Sequence, residues 1–171
     1  MINLFQIIGY FLFFCGAIYE THAVEKNVSH EVKVDYEKLK IKSYKHWDVY
    51  LHENQCYIGR VFILLREDAG VDDFMDVDGE IRDEFFLIGK EIKNALHILF
   101  QPDKMNYAAL SNTSPRIHVH IVPRYQEERM FHGAIFKDVR WGKNYAPYDQ
   151  TFVIEEPVLF AIRDALKNSL S

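Results

Sequence analysis

Two short segments in the middle of the chain show the apolar patterning of paired strands. Residues 47–51 alternate between apolar and polar positions, and residues 60–65 form a second run rich in branched and aromatic side chains. Residues 52–55 between them form a polar turn, and Gly59 lies where the chain re-enters the second run. The pattern predicts an antiparallel pair of strands.

A longer segment repeats apolar residues at three- and four-residue steps, which predicts a helix with one buried face. Its apolar stripe consists of Ile81, Phe85, Ile88, Ile92, Leu96 and Leu99. Asp76 or Asp78 is predicted to cap its start, and Pro102 is predicted to end it. A closing helix is predicted after Pro157, since apolar residues recur there at the same spacing: Val158, Ile162, Leu166 and Leu170.

Two further strands are predicted between these helices, at residues 105–110 and 117–122. The order of strands, helix, strands and helix indicates an α+β fold, in which the long helix and the C-terminal helix pack on an antiparallel sheet. The chain is divided into an apolar N-terminal segment (1–23), a polar, lysine-rich linker (24–43) and one domain (44–171).

The N-terminal segment differs in character from the rest of the chain, because residues 2–19 are almost entirely apolar and uncharged. It has the apolar stretch of a signal peptide but lacks the basic residue expected at the start of one. As a membrane anchor it is short, since a span needs roughly 20 apolar residues. A third interpretation is an appendage outside the working domain. We expect a cytoplasmic protein, with export or anchoring through residues 1–23 as the alternative.

Composition excludes several classes of protein. The chain has 171 residues, of which 49% are hydrophobic and 26% charged, so intrinsic disorder is excluded as its main character. Two cysteines, Cys15 and Cys56, allow at most one disulfide, which excludes a disulfide scaffold. The net charge of -5 argues against broad binding of nucleic acid, while a small anion site remains compatible with it.

Candidate chemistry is concentrated in the strand at residues 117–122 and the residue before it. Because successive side chains of a strand face opposite sides, one face is expected to pack through Ile117, Val119 and Ile121. The other face is expected to present a second set of side chains: Arg116, His118, His120 and Val122. Burying two imidazoles and a guanidinium in an apolar core is unfavourable, so this face is expected to open onto a cleft or a bound anion.

The residues alone leave four interpretations of this polar face. It is a solvent-exposed strand face without function, or a metal site built on His118 and His120, although no nearby Cys, Asp or Glu completes a ligand set. The third interpretation is an anion-binding module without turnover. The fourth is nucleophilic catalysis, in which a neutral imidazole attacks phosphorus and forms a phosphoramidate that water cleaves.

Residues 116–124 read Arg-φ-His-φ-His-φ-φ-Pro-Arg, where φ is an apolar residue. This register resembles the histidine triad (HIT) superfamily of nucleotide hydrolases and transferases, which carries His-φ-His-φ-His-φ-φ, often followed by Pro-Arg. His118 and His120 match the second and third histidines, and Arg116 stands in place of the first. Asn112 matches the amide residue ahead of the motif. Residues 140–148 are similar to a block in prokaryotic members that resemble dinucleoside polyphosphate hydrolases.

The resemblance, which covers residues 44–170, implies a nucleotide hydrolase or nucleotidyl transferase acting on a dinucleoside polyphosphate or a related nucleotide. It implies that His118 is the nucleophile, that a nearby backbone carbonyl holds its other ring nitrogen, and that His120 binds the α-phosphate. Asn112 would contact the region of the scissile phosphate or orient the nucleophile, and Arg116 would place a fixed positive charge near the polyphosphate. The alternative is a catalytically weakened nucleotide-binding protein of the same fold, in which Arg116 marks the loss of turnover.

Other polar residues are weaker candidates for substrate contacts. His52, in the first turn, is placed to approach a ribose. Lys143 is the first choice among the C-terminal basic residues for a phosphate contact, because the neighbouring Gly142 lets the backbone approach a ligand. Arg124 and Arg140 are alternatives for the same role.

The expected partner is a small-molecule nucleotide, and a homodimer is expected because family members usually pair and the sheet has exposed edges. No nucleic-acid partner is expected, and a membrane is a partner only if the N-terminal segment anchors the chain. The chemistry requires no metal cofactor, although the nucleotide can arrive as a magnesium complex.

Overall fold

The computed structural model describes residues 34–66, 70–110, 112 and 114–170. The predicted N-terminal segment at residues 1–23 and the first part of the predicted linker lie outside these ranges. Within them, no helix combines the length and the apolar character that crossing a bilayer requires.

Seven β-strands and two α-helices form within the described ranges. The strands are β1 (Lys40–Ser43), β2 (Trp47–Leu51), β3 (Val61–Leu65), β4 (Lys104–Ala109), β5 (His118–Arg124), β6 (Arg129–Phe131) and β7 (Ala134–Phe136). The helices are α1 (Gly79–Phe100) and α2 (Glu156–Ser169), and two 3-10 turns occur at Tyr36–Leu39 and Phe74–Asp76. The predicted strands and both predicted helices are confirmed to within a few residues.

Five of the strands form one antiparallel sheet in the order β1-β2-β3-β5-β4, while β6 and β7 form a separate hairpin. The register places Tyr50 of β2 opposite Phe62 of β3. Phe62 in turn lies opposite His120 of β5, and Ala108 of β4 lies opposite the same histidine. This register brings side chains from four strands into one row across the sheet.

Both helices contribute to a core on one face of the sheet. Alternation along the strands gives this core a set of fully or almost fully buried side chains: Trp47, Val49, Leu51, Val61, Ile63, Leu65, Val119 and Ile121. The helices complete it with Phe85, Ile88, Ile92, Leu96, Ile162 and Leu166. This arrangement confirms the predicted α+β fold with an antiparallel sheet, a long helix and a C-terminal helix.

The end of the predicted linker is corrected by the structure, because Lys40–Ser43 is the edge strand β1. Leu39 and Ile41 are each 3% exposed and belong to the core, whereas the neighbouring lysines are not buried. Only two apolar residues alternate with lysines here, and this pattern is too short to predict a strand from the sequence. The domain therefore includes β1, ahead of the boundary predicted at residue 44.

Gly59 leads into β3 with a positive φ of 82°, a conformation that side-chain-bearing residues rarely adopt. A Cβ at this position would lie 2.5 Å from a methyl carbon of Leu96 in α1. The turn predicted here therefore needs glycine for two reasons, its backbone conformation and its close approach to the helix. It also fixes where Arg60, the next residue, enters the sheet.

Candidate functional site

The face of the sheet that carries the histidines is opposite the face that contributes to the main core. His118 and His120 alternate along β5 with the buried Val119 and Ile121, as the sequence predicts. His52 follows β2 on the same face. Its backbone N–H donates to the backbone carbonyl of Arg60 across the sheet at 3.0 Å. The polar face therefore combines residues from three neighbouring strands.

His118 is held in one tautomer by its own strand. Its Nδ1 atom lies 2.8 Å from the carbonyl oxygen of Arg116. A carbonyl oxygen only accepts hydrogen bonds, so Nδ1 carries a proton, and in the neutral form of the ring Nε2 keeps its lone pair. The structure thus contains the backbone contact that the family resemblance implies, and it leaves His118 with a nucleophilic nitrogen.

His120 packs edge-on against His118, with ring centroids 5.1 Å apart. Burial, followed by the positive charge of Arg60 and the neighbouring His118 ring, lowers the pKa of His120 to about 4. Its Nδ1 atom is buried and has no hydrogen-bond partner. His120 is therefore neutral at physiological pH, and one of its ring nitrogens has no protein partner.

His52 is more deeply buried, at 6% exposed, and its ring centroid lies 5.6 Å from that of His120. Its Nδ1 atom accepts a hydrogen bond from the backbone N–H of Asn54 at 3.1 Å. Burial, followed by the positive charge of Arg60 and the neighbouring His120 ring, lowers the pKa of His52 to about 2. The structure therefore brings the three sequence-predicted histidines together, and burial keeps two of them, His52 and His120, neutral at physiological pH.

Arg60 is a residue of this site that sequence analysis did not single out. It is 2% exposed, and its guanidinium carbon lies 4.0 Å from the centroid of the Tyr148 ring. Its Nε and Nη1 atoms are buried and have no hydrogen-bond partner. Alternation from Phe62 of β3 places Arg60 on the histidine face, and this signal was present in the sequence.

The structure places the remaining predicted contact residues ahead of β5 and in a segment beside β4. Arg116 donates from Nη2 to the carbonyl of Leu65 at 2.9 Å. Asn112 is exposed in the loop ahead of β5. Lys143 is exposed and lines a separate cavity of about 520 Å³ between β4 and residues 141–145, which contains none of the three histidines.

Arg124 is structural, because its donors are taken up by protein acceptors. Its Nε donates to Asp138 at 2.7 Å, and Nη2 donates to the same carboxylate at 3.2 Å and to the carbonyl of Arg140 at 2.7 Å. Nη1 donates to Asn106 and to the carbonyl of Lys143. Arg140 is similarly engaged with backbone carbonyls. The alternative phosphate contact suggested for Arg124 is therefore corrected, while the one suggested for Arg140 stays a prediction.

No group of three or more His, Cys, Asp or Glu side chains is placed to hold a metal ion within the described part of the chain. There, His118 and His120 lack the further protein ligands that a closed site would need. Cys56 is a buried free thiol, and burial raises its pKa to about 11, which keeps it protonated at physiological pH.

The low pKa of His52 predicts a loss of stability in mild acid. The unfolded chain binds a proton at His52 near pH 6.5 and the folded chain does not, so the free energy of unfolding should fall as pH decreases from 7 to 5. We expect about 1–2 kcal/mol of this loss to disappear in His52→Asn, whose amide oxygen can accept the same Asn54 N–H. Urea unfolding at both pH values measures it. His97→Asn, on the exposed face of α1, is the control, and an equal pH dependence in all three proteins would contradict the assignment.

Comparisons with known proteins agree with this geometry. The family model described as HIT domain matches residues 40–127, just over half of the chain. A histidine triad protein from Bradyrhizobium japonicum superposes with a TM-score of 0.63 at 18% identity, over 79% of this chain and 93% of that chain. A HIT protein from Sinorhizobium meliloti 1021 gives 0.63 at 13% identity, over 78% and 92%.

A third solved structure, a histidine triad protein from Marinobacter aquaeolei VT8, has a TM-score of 0.57 at 21% identity, over 80% of this chain and 95% of that chain. At such identities these similarities concern the fold. None of the curated proteins matches the sequence significantly.

Proposed function

Because the chain belongs to the HIT domain family, we propose that it hydrolyses or transfers a nucleotidyl group of a dinucleoside polyphosphate or a related nucleotide. Proteins of this family are generally nucleotide hydrolases or transferases. The observation that carries the proposal is the hydrogen bond from His118 Nδ1 to the Arg116 carbonyl, which makes Nε2 the nucleophilic nitrogen of the neutral ring.

In the proposed reaction, Nε2 of His118 attacks the α-phosphorus of the nucleotide. A P–N bond forms while the P–O bond to the leaving phosphate breaks, and the leaving group departs with the electron pair. The positive charge that develops on the ring is stabilised by the Arg116 carbonyl, which accepts the hydrogen bond from Nδ1. Water, or an acceptor alcohol in a transfer, then cleaves the P–N bond and restores the neutral imidazole.

His120 is proposed to bind the α-phosphate. It lies beside His118 and has a buried ring nitrogen without a protein partner, so a phosphate oxygen can take the hydrogen bond that this imidazole offers. The reaction needs no cofactor, and magnesium would enter only with the nucleotide. Asn112 is proposed to contact the phosphates from the exposed loop ahead of β5.

A nucleotide-binding protein with weakened catalysis is the second candidate, and Arg116 favours it. The family register has histidine at this position, whereas here the guanidinium donates to the Leu65 carbonyl at the end of β3. Both candidates use the same face of the sheet, and they differ in whether a covalent intermediate forms.

The discriminating experiment incubates the full chain with a panel of mononucleotides and dinucleoside polyphosphates. Products are separated by chromatography. The reaction is quenched under alkaline denaturing conditions, because phosphoramidates are acid-labile, and the mass of the protein is measured by mass spectrometry. Nucleotide products with a nucleotidyl adduct on His118 support the enzyme. Binding without products or adduct supports the second candidate, and absence of nucleotide binding contradicts both.

Arg116 provides a further prediction. If its charge attracts the substrate, Arg116→Ala should raise KM about three- to tenfold with little change in kcat, and the increase should shrink at high ionic strength because salt screens the charge. Steady-state kinetics at two salt concentrations measures this. Arg82→Ala, on the exposed face of α1, removes the same charge away from the site and is the control. A large gain in kcat for Arg116→His with unchanged KM would show instead that arginine in place of the first histidine slows the chemical step.

A homodimer is also proposed. Strand β4 is the outermost strand of the sheet, and beside it an apolar cavity of about 430 Å³ is lined in part by Phe86 and Tyr107. Both side chains are more than half exposed, which is typical of a surface that a partner covers. Size-exclusion chromatography with light scattering tests whether a second copy binds. The cytoplasmic location stays a prediction.

A further inference from the structure

Two arginines are buried on the histidine face of the sheet, and they differ in how their charge is balanced. Arg124 is 4% exposed, and its donors reach Asp138, Asn106 and two backbone carbonyls. Arg60 is 2% exposed, yet its Nε and Nη1 atoms have no acceptor. No carboxylate in the described part of the chain forms an ion pair with Arg60.

The surroundings of Arg60 do not compensate its charge. A buried guanidinium without acceptors is strongly unfavourable, and buried charges in proteins are ordinarily paired. Its neighbours His52 and His120 stay neutral, because burial and the charge of Arg60 itself oppose their protonation. The Tyr148 ring covers one face of the guanidinium, which leaves the N–H groups along its edge for a ligand.

We propose that Arg60 forms an anion subsite that binds phosphate oxygens of the nucleotide next to His120. The identity of this anion as a nucleotide phosphate rests on the proposed function. A phosphate offers several charged oxygens, so it can accept from Nε, from Nη1 and from the ring of His120 together. Tyr148 keeps the guanidinium plane fixed, and Arg60 thereby becomes a permanent positive charge that the neutral histidines do not supply.

Binding measurements on the full chain test the subsite. Isothermal titration calorimetry with inorganic phosphate, AMP and adenosine compares the wild type with Arg60→Met and with Arg82→Met, which removes an exposed charge on α1. Arg60→Met should weaken the binding of phosphate and AMP about 10- to 100-fold and leave adenosine unchanged, while Arg82→Met binds all three normally. Wild-type affinity of Arg60→Met for AMP would overturn the proposal.

Thermal unfolding separates a ligand-binding role from a structural one. Without anion, Arg60→Met should unfold at the wild-type temperature or above it, because an apolar side chain replaces an uncompensated charge. Phosphate should raise the unfolding temperature of the wild type and have a smaller effect on the variant. A lower unfolding temperature with an undiminished response to phosphate would assign Arg60 to structure alone.

An experiment on the wild type keeps the proposal testable if Arg60→Met does not fold. In NMR spectra, inorganic phosphate should shift the Nε–H resonance of Arg60 and raise the pKa of His120, because the bound anion offsets the nearby positive charge. Arg60→Lys, which keeps the charge and loses the planar donors, should restore part of the phosphate affinity. An Arg60 resonance that phosphate does not move would overturn the subsite.

The outcomes also distinguish this proposal from the proposed reaction. Phosphate binding that depends on Arg60, without nucleotide products or an adduct on His118, would leave the subsite standing and contradict the reaction. Turnover through a His118 adduct, with wild-type KM in Arg60→Met, would support the reaction and contradict the subsite.

Discussion

His118→Asn should lower kcat for nucleotide substrates by at least about a thousandfold while leaving the fold intact. The asparagine amide can donate to the Arg116 carbonyl as Nδ1 of the histidine does, but it provides no nucleophilic nitrogen for the α-phosphorus. Steady-state kinetics measures the loss, and circular dichroism with thermal unfolding verifies that the variant is folded. The exposed His97→Asn is the matched control, since it makes the same change on the outer face of α1.

The covalent adduct gives a stricter test of the same assignment. In a single turnover, His118→Asn should form no nucleotidyl adduct, whereas His120→Asn retains the nucleophile and should still form one at a reduced rate. Near-normal turnover by His118→Asn would remove this residue from the reaction. An adduct of equal yield in that variant would place the nucleophile elsewhere in the chain.

The arrangement of the histidine strand follows directly from the sequence. Strict alternation over residues 117–121 is enough to separate the packed face from the polar face, because a strand has only two faces. Val119 and Ile121 are buried as that pattern predicts, and His118 and His120 lie opposite them. The tautomer of His118 depends on a carbonyl two residues earlier, so the resemblance was sufficient to anticipate it.

The environment of Arg60 depends on contacts between distant parts of the chain, which the pattern of apolar and polar residues in one strand does not predict. Its position beside His52 requires the register of β2 on β3, and Tyr148 reaches it from a segment far along the chain. Sequence patterns also do not show that the guanidinium lacks acceptors, which is a property of the packed structure. The phosphate contact predicted for Lys143 stays a prediction, and residues 141–145 line a cavity beside β4 that contains none of the three histidines.

The segment around Lys143 is held by the buried pair of Arg124 and Asp138, and Arg124→Met should therefore destabilise the protein by about 3–5 kcal/mol. The Asp138 side chain is 0% exposed, so the substitution leaves a buried carboxylate without its cation. It also removes the donors to the carbonyls of Arg140 and Lys143, which fasten the following segment to the sheet. Urea unfolding at pH 7 measures the loss.

Two control variants distinguish the loss of the buried ion pair from the general effect of removing a positive charge on the free energy of unfolding. Arg82→Met breaks an exposed pair with Asp83 and should change the free energy of unfolding by less than about 1 kcal/mol. The double variant Arg124→Met/Asp138→Leu should recover part of the loss, because removing both buried charges is less unfavourable than leaving one unpaired. Tyr148 follows this segment in the chain and covers Arg60. Arg124→Met should therefore also weaken phosphate binding, measured at temperatures where the variant is folded. A single variant within about 1 kcal/mol of the wild type would show that the pair does not hold this segment in place.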